Sequence, residues 1–276
     1  MPFVNANGLR LFYQDTGSGP PLLLLMGHGL DHGFWAKQIP VYGEHFRCLA
    51  LDNRGIGQSQ VPPAGYSVED MATDTLQVMD ALGLEAAHVS GFSMGGSIAL
   101  AMALRAPARV LTLSLHSTCG RPYPFIKHRY RVLVAVTRAG DPDLWAEATV
   151  TTAFSDRYIN EHDDEVEAEV ARRRARRRAM TDEEVEGLVG HYLAFSSYDP
   201  WDRLGDVAIP TLITVGSGDA VTPVRYSEDL HARLKSSELH IIPDAPHRAL
   251  TFAAEAFSRI SLSFLLRHRD LPPARA

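Results

Sequence analysis

Largely apolar runs of strand length recur along the chain and predict its architecture. They occupy residues 22–26, 46–51, 87–90 and 109–115, and apolar rather than alternating positions dominate them. A strand of this kind needs cover on both faces, which is typical of a parallel sheet with helices on each side. Residues 68–82 carry an apolar stripe at helical spacing and supply one such helix. The pattern therefore predicts a mostly parallel, doubly wound α/β sheet.

The beginning of the chain has a different pattern. Residues 9–13 alternate apolar and polar side chains, as a strand with one solvated face does. The dipeptide Asn7-Gly8 directly before them is a strong signal for a hairpin turn. We therefore expect an antiparallel hairpin at the start of the sheet.

Strand-like runs stop after residue 119 and resume only near residue 210. The intervening segment has helical patterns, including a capping box in which Glu184 follows Thr181 at the spacing that closes a helix N-terminus. We predict an α/β core formed by residues 1–119 and 206–276, with residues 120–205 inserted as a helical cap over the ends of the strands.

The most conspicuous charges lie in this helical segment, where six arginines fall within residues 172–178. Such a run could form a face that binds polyanions. We favour a solvated helix, because acidic side chains fill its first half and arginines its second half, as the helix dipole prefers. The alanines of the same helix would then form the packed stripe, namely Ala168, Ala171, Ala175 and Ala179.

Composition narrows the function classes. The 276-residue chain is 45% hydrophobic and 22% charged, with a formal net charge of −6, which does not favour nucleic acid as a partner. The N-terminus has no secretory pattern, and no apolar stretch approaches the roughly 20 residues that span a bilayer. Cys48 and Cys119 have no metal-binding spacing and are expected to be buried free thiols. We expect a cytoplasmic protein with a small-molecule substrate and no membrane contact, and leave a homodimer open.

The central candidate for chemistry is the pentapeptide that runs from Gly91 through Ser93 to Gly95. It follows an apolar strand and precedes small, helix-forming residues, so Ser93 would lie at the apex of a sharp strand-to-helix turn. Glycines two positions on either side allow strand and helix to approach closely there. The backbone N–H of Met94, at the start of the helix, would help to bind a developing oxyanion.

Two further side chains have the chain order expected of a catalytic triad built on such a turn. Asp219 follows the late apolar strand in a glycine-bearing turn, and His247 lies in the loop before the last helix. His247 would act as general base for Ser93, and Asp219 would hold the imidazole in the useful tautomer. Asp244 competes as the acid, but it is only three residues from His247 and is more plausible as a loop anchor.

The loop after the strand at residues 22–26 would complete the oxyanion site. Gly29 allows the backbone to turn so that the N–H of Leu30 becomes the second donor. We expect His28 to have a positioning role and Trp35 to lie at the edge of the pocket. In the loop after the next strand, we expect Asp52 and Arg54 to form an ion pair or a loop tether.

Taken together, these motifs resemble the α/β-hydrolase family over nearly the whole chain. The matching residues are His28-Gly29, Asp52-x-Arg54-Gly55-x-Gly57-x-Ser59, Gly91-x-Ser93-Met94-Gly95-Gly96, Gly218-Asp219-x-x-x-Pro223 and Pro246-His247. The N-terminal hairpin and the residues around Ser93 are similar to 3-oxoadipate enol-lactonases, related small carboxylesterases and cofactor-free perhydrolases. The resemblance implies a serine esterase or lactonase that forms an acyl-enzyme and needs neither a cofactor nor a metal.

Several alternatives stay open within that resemblance. A serine rather than an aspartate at position 93 disfavours the haloalkane dehalogenase and epoxide hydrolase branches. Hydrolases that cleave carbon–carbon bonds of ring-fission products are the runner-up, although they tend to carry Pro-Gly where this chain has Asn53-Arg54-Gly55. A slow-turnover ligand receptor, a lyase or an acyltransferase could use the same pocket. Whatever the reaction, we expect cap residues to determine substrate choice, with the aromatic side chains of Phe154, Tyr192 and Trp201 as candidate contacts. In the core, His28, Gly29 and Trp35 are candidate substrate contacts.

Overall fold

The computed structural model describes residues 2–273, and a single eight-stranded sheet organises them. In chain order the strands are β1 (Phe3–Ala6), β2 (Leu9–Thr16), β3 (Pro21–Leu25), β4 (Arg47–Leu51), β5 (Ala87–Phe92), β6 (Val110–His116), β7 (Thr211–Gly216) and β8 (Ser237–Ile242). Their order across the sheet is β1-β2-β4-β3-β5-β6-β7-β8. From β4 onward all neighbours are parallel, so the predicted mostly parallel sheet is confirmed.

The antiparallel start of the sheet is also confirmed. β1 pairs with β2, and β2 pairs with β4, both in antiparallel register. The turn between β1 and β2 consists of Asn7 and Gly8, whose φ angles are 51° and 76°. Two consecutive residues with positive φ are what a two-residue hairpin of the favoured type requires, and Asn-Gly is the sequence that adopts this conformation at least cost.

Helices cover both faces of the sheet. They are α1 (Ile39–Tyr42), α2 (Val68–Ala81), α3 (Met94–Arg105), α4 (Pro124–Ala139), α5 (Pro142–Ala153), α6 (Asp156–Glu161), α7 (Asp163–Ala179), α8 (Asp182–Ser197), α9 (Val224–Arg233), α10 (Ala249–Phe252) and α11 (Ala254–Arg267), with 3-10 helices at His32–Trp35, Pro107–Arg109 and Trp201–Asp206. Strand β3 shows why a strand covered on both faces is apolar at every position. Leu23 and Leu25 pack in the core that contains α2 and α3, whereas Leu22 and Leu24 pack in the core that contains α1 and α11.

Helices α4 to α8 lie between β6 and β7 in the chain. They agree with the helical patterns of this segment, and the short α6 follows the N-cap Ser155. A buried cluster joins α5 to α7 through Val150, Val166 and Val170. The division of the chain into a core and a cap at residues 119 and 206 stays a prediction.

Two expectations about single side chains have different outcomes. Cys48 and Cys119 are buried free thiols, as predicted. The expected ion pair between Asp52 and Arg54 is wrong, because Arg54 donates two hydrogen bonds to Asp74 of α2, at 2.5 and 2.6 Å. Asp52 instead accepts from the backbone N–H of Gln58 and lies 2.8 Å from the His32 imidazole, so it does tether this loop.

Candidate active site

Ser93 lies at the turn between β5 and α3 in a strained backbone conformation, with φ 54° and ψ −120°. The strain is stabilised by close packing of strand against helix. A Cβ atom on Gly91 would lie 2.2 Å from the carbonyl oxygen of Gly95, and one on Gly95 would lie 2.2 Å from that of Leu25. Only glycine fits at both positions, so the flanking residues hold Ser93 at the carboxyl end of the sheet.

Three side chains that are distant in the sequence meet at this turn. His247 Nε2 is 3.2 Å from Ser93 Oγ, and His247 Nδ1 is 2.9 Å from the nearer carboxylate oxygen of Asp219. Ser93, Asp219 and His247 are 1%, 5% and 6% exposed. The structure thus brings together the three residues that the sequence suggested, in the order Ser93, His247 and Asp219.

The loop after β7 fixes the Asp219 carboxylate. It accepts hydrogen bonds from the backbone N–H groups of Val221 and Thr222, at 2.9 and 2.8 Å, and from the Thr222 hydroxyl at 3.0 Å. The competing acid is differently placed, because the side chain of Asp244 is 79% exposed and faces Arg157 at 3.4 Å. Of the two carboxylates, only that of Asp219 contacts the imidazole of His247.

The two predicted oxyanion donors differ in their present partners, and Leu30 lines the same cavity as Ser93. Met94 is the first residue of α3, where backbone N–H groups have no acceptor within the helix. The N–H of Leu30 closes a turn to the carbonyl of Gly27 at 3.3 Å, which is a long hydrogen bond. Gly27 also permits the close approach of this loop, since a Cβ there would lie 2.9 Å from Cβ of Ser93.

Two residues of the helical segment, which the sequence analysis missed, hold Gly29 through its N–H and its carbonyl. Gly29 N–H donates to Nδ1 of His191 at 3.2 Å, and Arg176 donates to the Gly29 carbonyl at 2.6 Å. His191 Nε2 donates in turn to the carbonyl of Arg54 at 2.6 Å, which fixes the tautomer. Burial lowers the pKa of His191 to about 4, so the ring stays neutral and Nδ1 remains an acceptor.

A sequence signal for His191 did exist. Gly187 and Gly190 lie inside helix α8, where glycine is unfavourable unless another backbone or ring comes close. Such contacts are present, because a Cβ at Gly187 would lie 2.2 Å from the carbonyl oxygen of Gly55 and one at Gly190 would lie 2.3 Å from the Tyr66 hydroxyl. The pair of glycines therefore indicated that α8 packs against the loop after β4, which brings His191 to Gly29.

A cavity of about 470 Å³ opens above Ser93. Its wall is formed by the loops at the strand ends and by residues of α4, α5, α7 and α8, and includes Ser93, His247, His28, Gly29, Tyr130 and Tyr192. The Tyr130 hydroxyl is 3.0 Å from His28 Nδ1. Burial, together with the nearby His247, lowers the pKa of His28 to about 3, so its ring is neutral.

Three of the suggested substrate contacts do not line this cavity. Trp35 is fully buried on the α11 face of the sheet, because the 3-10 turn that carries it directs its ring toward Phe257. Phe154 lies in the cluster between α5 and α7, behind the wall. Trp201 is held between the guanidinium groups of Arg121 and Arg233, 4.3 and 4.2 Å from its ring centroid.

The predicted orientation of the arginine-rich helix is wrong. Ala168, Ala171, Ala175 and Ala179 are exposed, whereas Arg172, Arg173 and Arg176 line the cavity. The cause is Glu169, which is 8% exposed and accepts a hydrogen bond from Arg173, whose side chain is only 16% exposed. Within residues 2–273, no group of three or more His, Cys, Asp or Glu side chains is arranged to hold a metal ion.

The comparisons with known proteins agree with this geometry. Residues 20–254 match a family described as alpha/beta hydrolase fold. The chain is 30% identical to a "putative carbamate hydrolase RutD" of Azorhizobium caulinodans, over 95% of this chain and 94% of that protein. It is 28% identical to "3-oxoadipate enol-lactonase 1" of Acinetobacter baylyi, over 95% of each chain.

A solved structure is similar as well. The thermophilic esterase of Thermogutta terrifontis, determined with malate bound, superposes with a TM-score of 0.82 at 30% identity, covering 97% of this chain and 98% of that one. Among the helices within residues 2–273, none combines the length and apolarity needed to cross a bilayer.

Proposed function

This chain belongs to the α/β-hydrolase fold family, and from that premise we propose that it is a serine hydrolase that cleaves an ester or lactone of a small to medium organic substrate. The observation that carries the proposal is the contact chain from Ser93 Oγ to His247 Nε2, at 3.2 Å, and from His247 Nδ1 to Asp219, at 2.9 Å. A serine hydroxyl is a weak nucleophile without an adjacent base, and this arrangement supplies one.

The reaction would proceed in two halves through an acyl-enzyme. Ser93 Oγ attacks the acyl carbonyl while His247 takes its proton, and His247 then gives that proton to the departing alcohol oxygen. In the second half, water loses a proton to His247 and attacks the acyl carbon, so that Ser93 leaves as the hydroxyl and the acid is released. Asp219 stays ionised and stabilises the imidazolium in both halves.

The negative charge on the carbonyl oxygen would be stabilised by the N–H groups of Met94 and Leu30. One such donor is worth about 3 kcal/mol in the transition state. The Leu30 donor has to exchange its 3.3 Å bond to Gly27 for the oxyanion. Since His191 binds the N–H of Gly29 and Arg176 binds its carbonyl, Gly29 is held on both sides and this exchange requires little movement of the loop.

The size of the cavity supports the proposed substrate class. A volume of about 470 Å³ lies within the roughly 300–1,000 Å³ that small-molecule sites occupy. Its wall includes Tyr130, Leu133 and Leu188 of the helical segment, which supports the role of residues 120–205 as a cap that selects the substrate.

Turnover of a panel of p-nitrophenyl esters, a small lactone and an aryl carbamate tests the proposal. The carbamate is included because a relative carries that name. We expect the unmodified chain to hydrolyse members of the panel, and Ser93→Ala to abolish both steady-state turnover and the pre-steady-state burst while the thermal unfolding temperature is nearly unchanged. A burst retained by Ser93→Ala would contradict the assignment of the nucleophile. Absence of turnover across the panel by the unmodified chain would contradict the hydrolase proposal and favour a ligand receptor.

A further inference from the structure

We propose that the substrate carries a carboxylate group in addition to the acyl group that is cleaved, and that the guanidinium groups of Arg173 and Arg248 bind this carboxylate. The inference rests on the proposed function, since it names the substrate class of the same cavity. It comes from the charged side chains of the cavity wall, which the catalytic steps do not use.

The wall of the cavity is strongly positive. Four arginines and one carboxylate contribute to it, and with neutral histidines they leave a formal charge of +3. These residues are Arg172, Arg173, Arg176, Arg248 and Glu169. The whole chain has a formal charge of −6, so this local excess opposes the balance of the molecule. A concave, partly buried site of one sign attracts ligands of the other sign.

Glu169 does not neutralise this excess. Its two oxygens accept hydrogen bonds from Arg172, Arg173 and Arg248, at 2.6 to 3.0 Å. Burial by itself would raise the pKa of Glu169, but the charges of Arg248 and Arg173 hold it at about 2, so the carboxylate is ionised. One negative charge shared by three guanidinium groups fixes their positions and leaves two positive charges uncompensated.

Arg173 and Arg248 retain N–H groups that are free to donate hydrogen bonds to a ligand. Within residues 2–273, Arg173 uses only its Nε atom, in the bond to Glu169, and both of its Nη groups have no acceptor. The Nε atom of Arg248 is buried and has no hydrogen-bond partner among the described residues. A buried guanidinium donor without a partner is costly, and a carboxylate with two oxygens in one plane matches the fork of donors that arginine presents.

The location of these groups fits a substrate rather than a structural anion. Arg248 follows His247 directly in the chain, and both residues line the cavity together with Ser93. The side chains of Arg173 and Arg248 are only 16% and 12% exposed, so they face the cavity more than the solvent. A small ester or lactone held at Ser93 could therefore reach these arginines with its second carboxylate.

Matched pairs of substrates test the proposal. For a carboxylate on the acyl side, we compare mono-p-nitrophenyl glutarate with p-nitrophenyl pentanoate, and for one on the leaving group we compare 4-acetoxybenzoate with phenyl acetate. Each comparison is corrected for the rate without enzyme. We expect kcat/KM to be about 10- to 100-fold higher for the charged member of at least one pair, because charge-assisted hydrogen bonds contribute at this level. Added salt should reduce the preference. A preference for the neutral member in both pairs would overturn the proposal.

Variants locate the site. Arg173→Gln and Arg248→Gln should each lower the charged-to-neutral ratio of kcat/KM by about 10-fold, mainly by raising KM for the charged substrate. Arg178→Gln is the matched control, because Arg178 is exposed on the same helix and does not line the cavity, and it should leave the ratio unchanged. Equal ratios in Arg173→Gln, Arg248→Gln and the unmodified chain would contradict the assignment of these two residues.

A binding measurement separates this proposal from the hydrolase proposal. Calorimetric titration of Ser93→Ala with glutarate, glutaramide and inorganic phosphate needs no turnover. We expect glutarate to bind, glutaramide to bind at least 10-fold more weakly, and Arg173→Gln to remove the difference. If no ester is hydrolysed but glutarate still binds in this way, the hydrolase proposal fails alone. Tighter binding of phosphate than of glutarate would overturn the assignment to a carboxylate.

Discussion

Three buried histidines predict that the fold loses stability between pH 7 and pH 5. His88 of β5, His116 of β6 and His191 of α8 are at most 1% exposed. Each has hydrogen-bond partners at both ring nitrogens, and those of His116 are the hydroxyl groups of Ser90 and Thr214, at 3.0 and 2.7 Å. Among residues 2–273 no carboxylate lies against these rings to stabilise a charged form, so protonation destabilises the folded chain.

The sign and size of the effect follow from their pKa values. Burial lowers the pKa of His88 and His191 to about 4 and that of His116 to about 3. Because the unfolded chain has pKa values near 6.5, it binds more protons than the folded chain below that pH, and the free energy of unfolding falls by about 1.4 kcal/mol per pH unit for each histidine. Between pH 6.5 and pH 5 this amounts to about 2 kcal/mol each, or about 6 kcal/mol together. His28 acts in the same direction.

A loss of this size is comparable with the total stability of a domain, which is about 5–15 kcal/mol. Urea unfolding followed by tryptophan fluorescence at pH 7, 6 and 5 measures it. His191→Gln is the informative variant, since a glutamine amide can accept from Gly29 and donate to the carbonyl of Arg54 without titrating. It should reduce the loss from about 6 to about 4 kcal/mol. His128→Asn, at an exposed position, should leave the loss unchanged.

The window above pH 5 separates the histidines from Glu169, because carboxylates of the unfolded chain have pKa values of about 4 and bind protons mainly below that window. The stability that Glu169 contributes through its lowered pKa, about 2 in the folded chain, is therefore lost mainly below pH 5. A free energy of unfolding that is constant from pH 7 to pH 5 would refute the argument. An identical pH dependence for His191→Gln and the unmodified chain would show that His191 does not contribute to it.

Three further predictions concern the site. Asp219→Asn should lower kcat by about 10⁴-fold, as loss of a triad aspartate does, whereas Asp244→Asn should change kcat less than about tenfold. The reverse result would make Asp244 the partner of His247. Gly91→Ala places a methyl group 2.2 Å from the carbonyl oxygen of Gly95. Thermal unfolding should show a free energy of unfolding lower by about 1–3 kcal/mol, and kcat should be reduced. Normal activity would contradict the steric argument. Tyr192→Ala should shift relative kcat/KM among ester chain lengths by about 10- to 200-fold, because Tyr192 lines the cavity. Trp201→Ala, outside the cavity, should leave it unchanged. A shift in Trp201→Ala alone would contradict the role of Tyr192 in chain-length selection.

Part of this protein could be predicted because its signals are local. Strands β3 to β7 follow from short apolar runs, and the hairpin follows from Asn7-Gly8. The turn at Ser93 follows from two glycines four residues apart, and the close approach of Gly91 to Gly95 is local to the turn. Since parallel strands end at one edge of the sheet, residues just after those ends were expected to meet, and His247 lies within hydrogen-bond distance of both Asp219 and Ser93. Their catalytic roles stay a prediction.

The amphipathic face of α7 shows where local signals fail. A helix of alanines, acids and arginines has no apolar stripe wide enough to indicate which face is buried, and its pattern favours the alanines as the packed side. The buried face instead contains Val166, Glu169 and Val170, and Glu169 is stabilised there by Arg248, which is 79 residues away in the sequence.

The sequence by itself determined the sheet, its hairpin and the turn that presents Ser93, because hydrophobic periodicity and glycine sterics act over a few residues. Tertiary structure alone decided the charge of the cavity wall and the support of the Gly29 peptide. Both depend on long polar side chains, Arg173, Arg248 and His191 among them, whose free energy in a buried position depends on partners supplied by distant segments. The charge pattern along one helix does not indicate which distant side chains will become those partners in the folded chain.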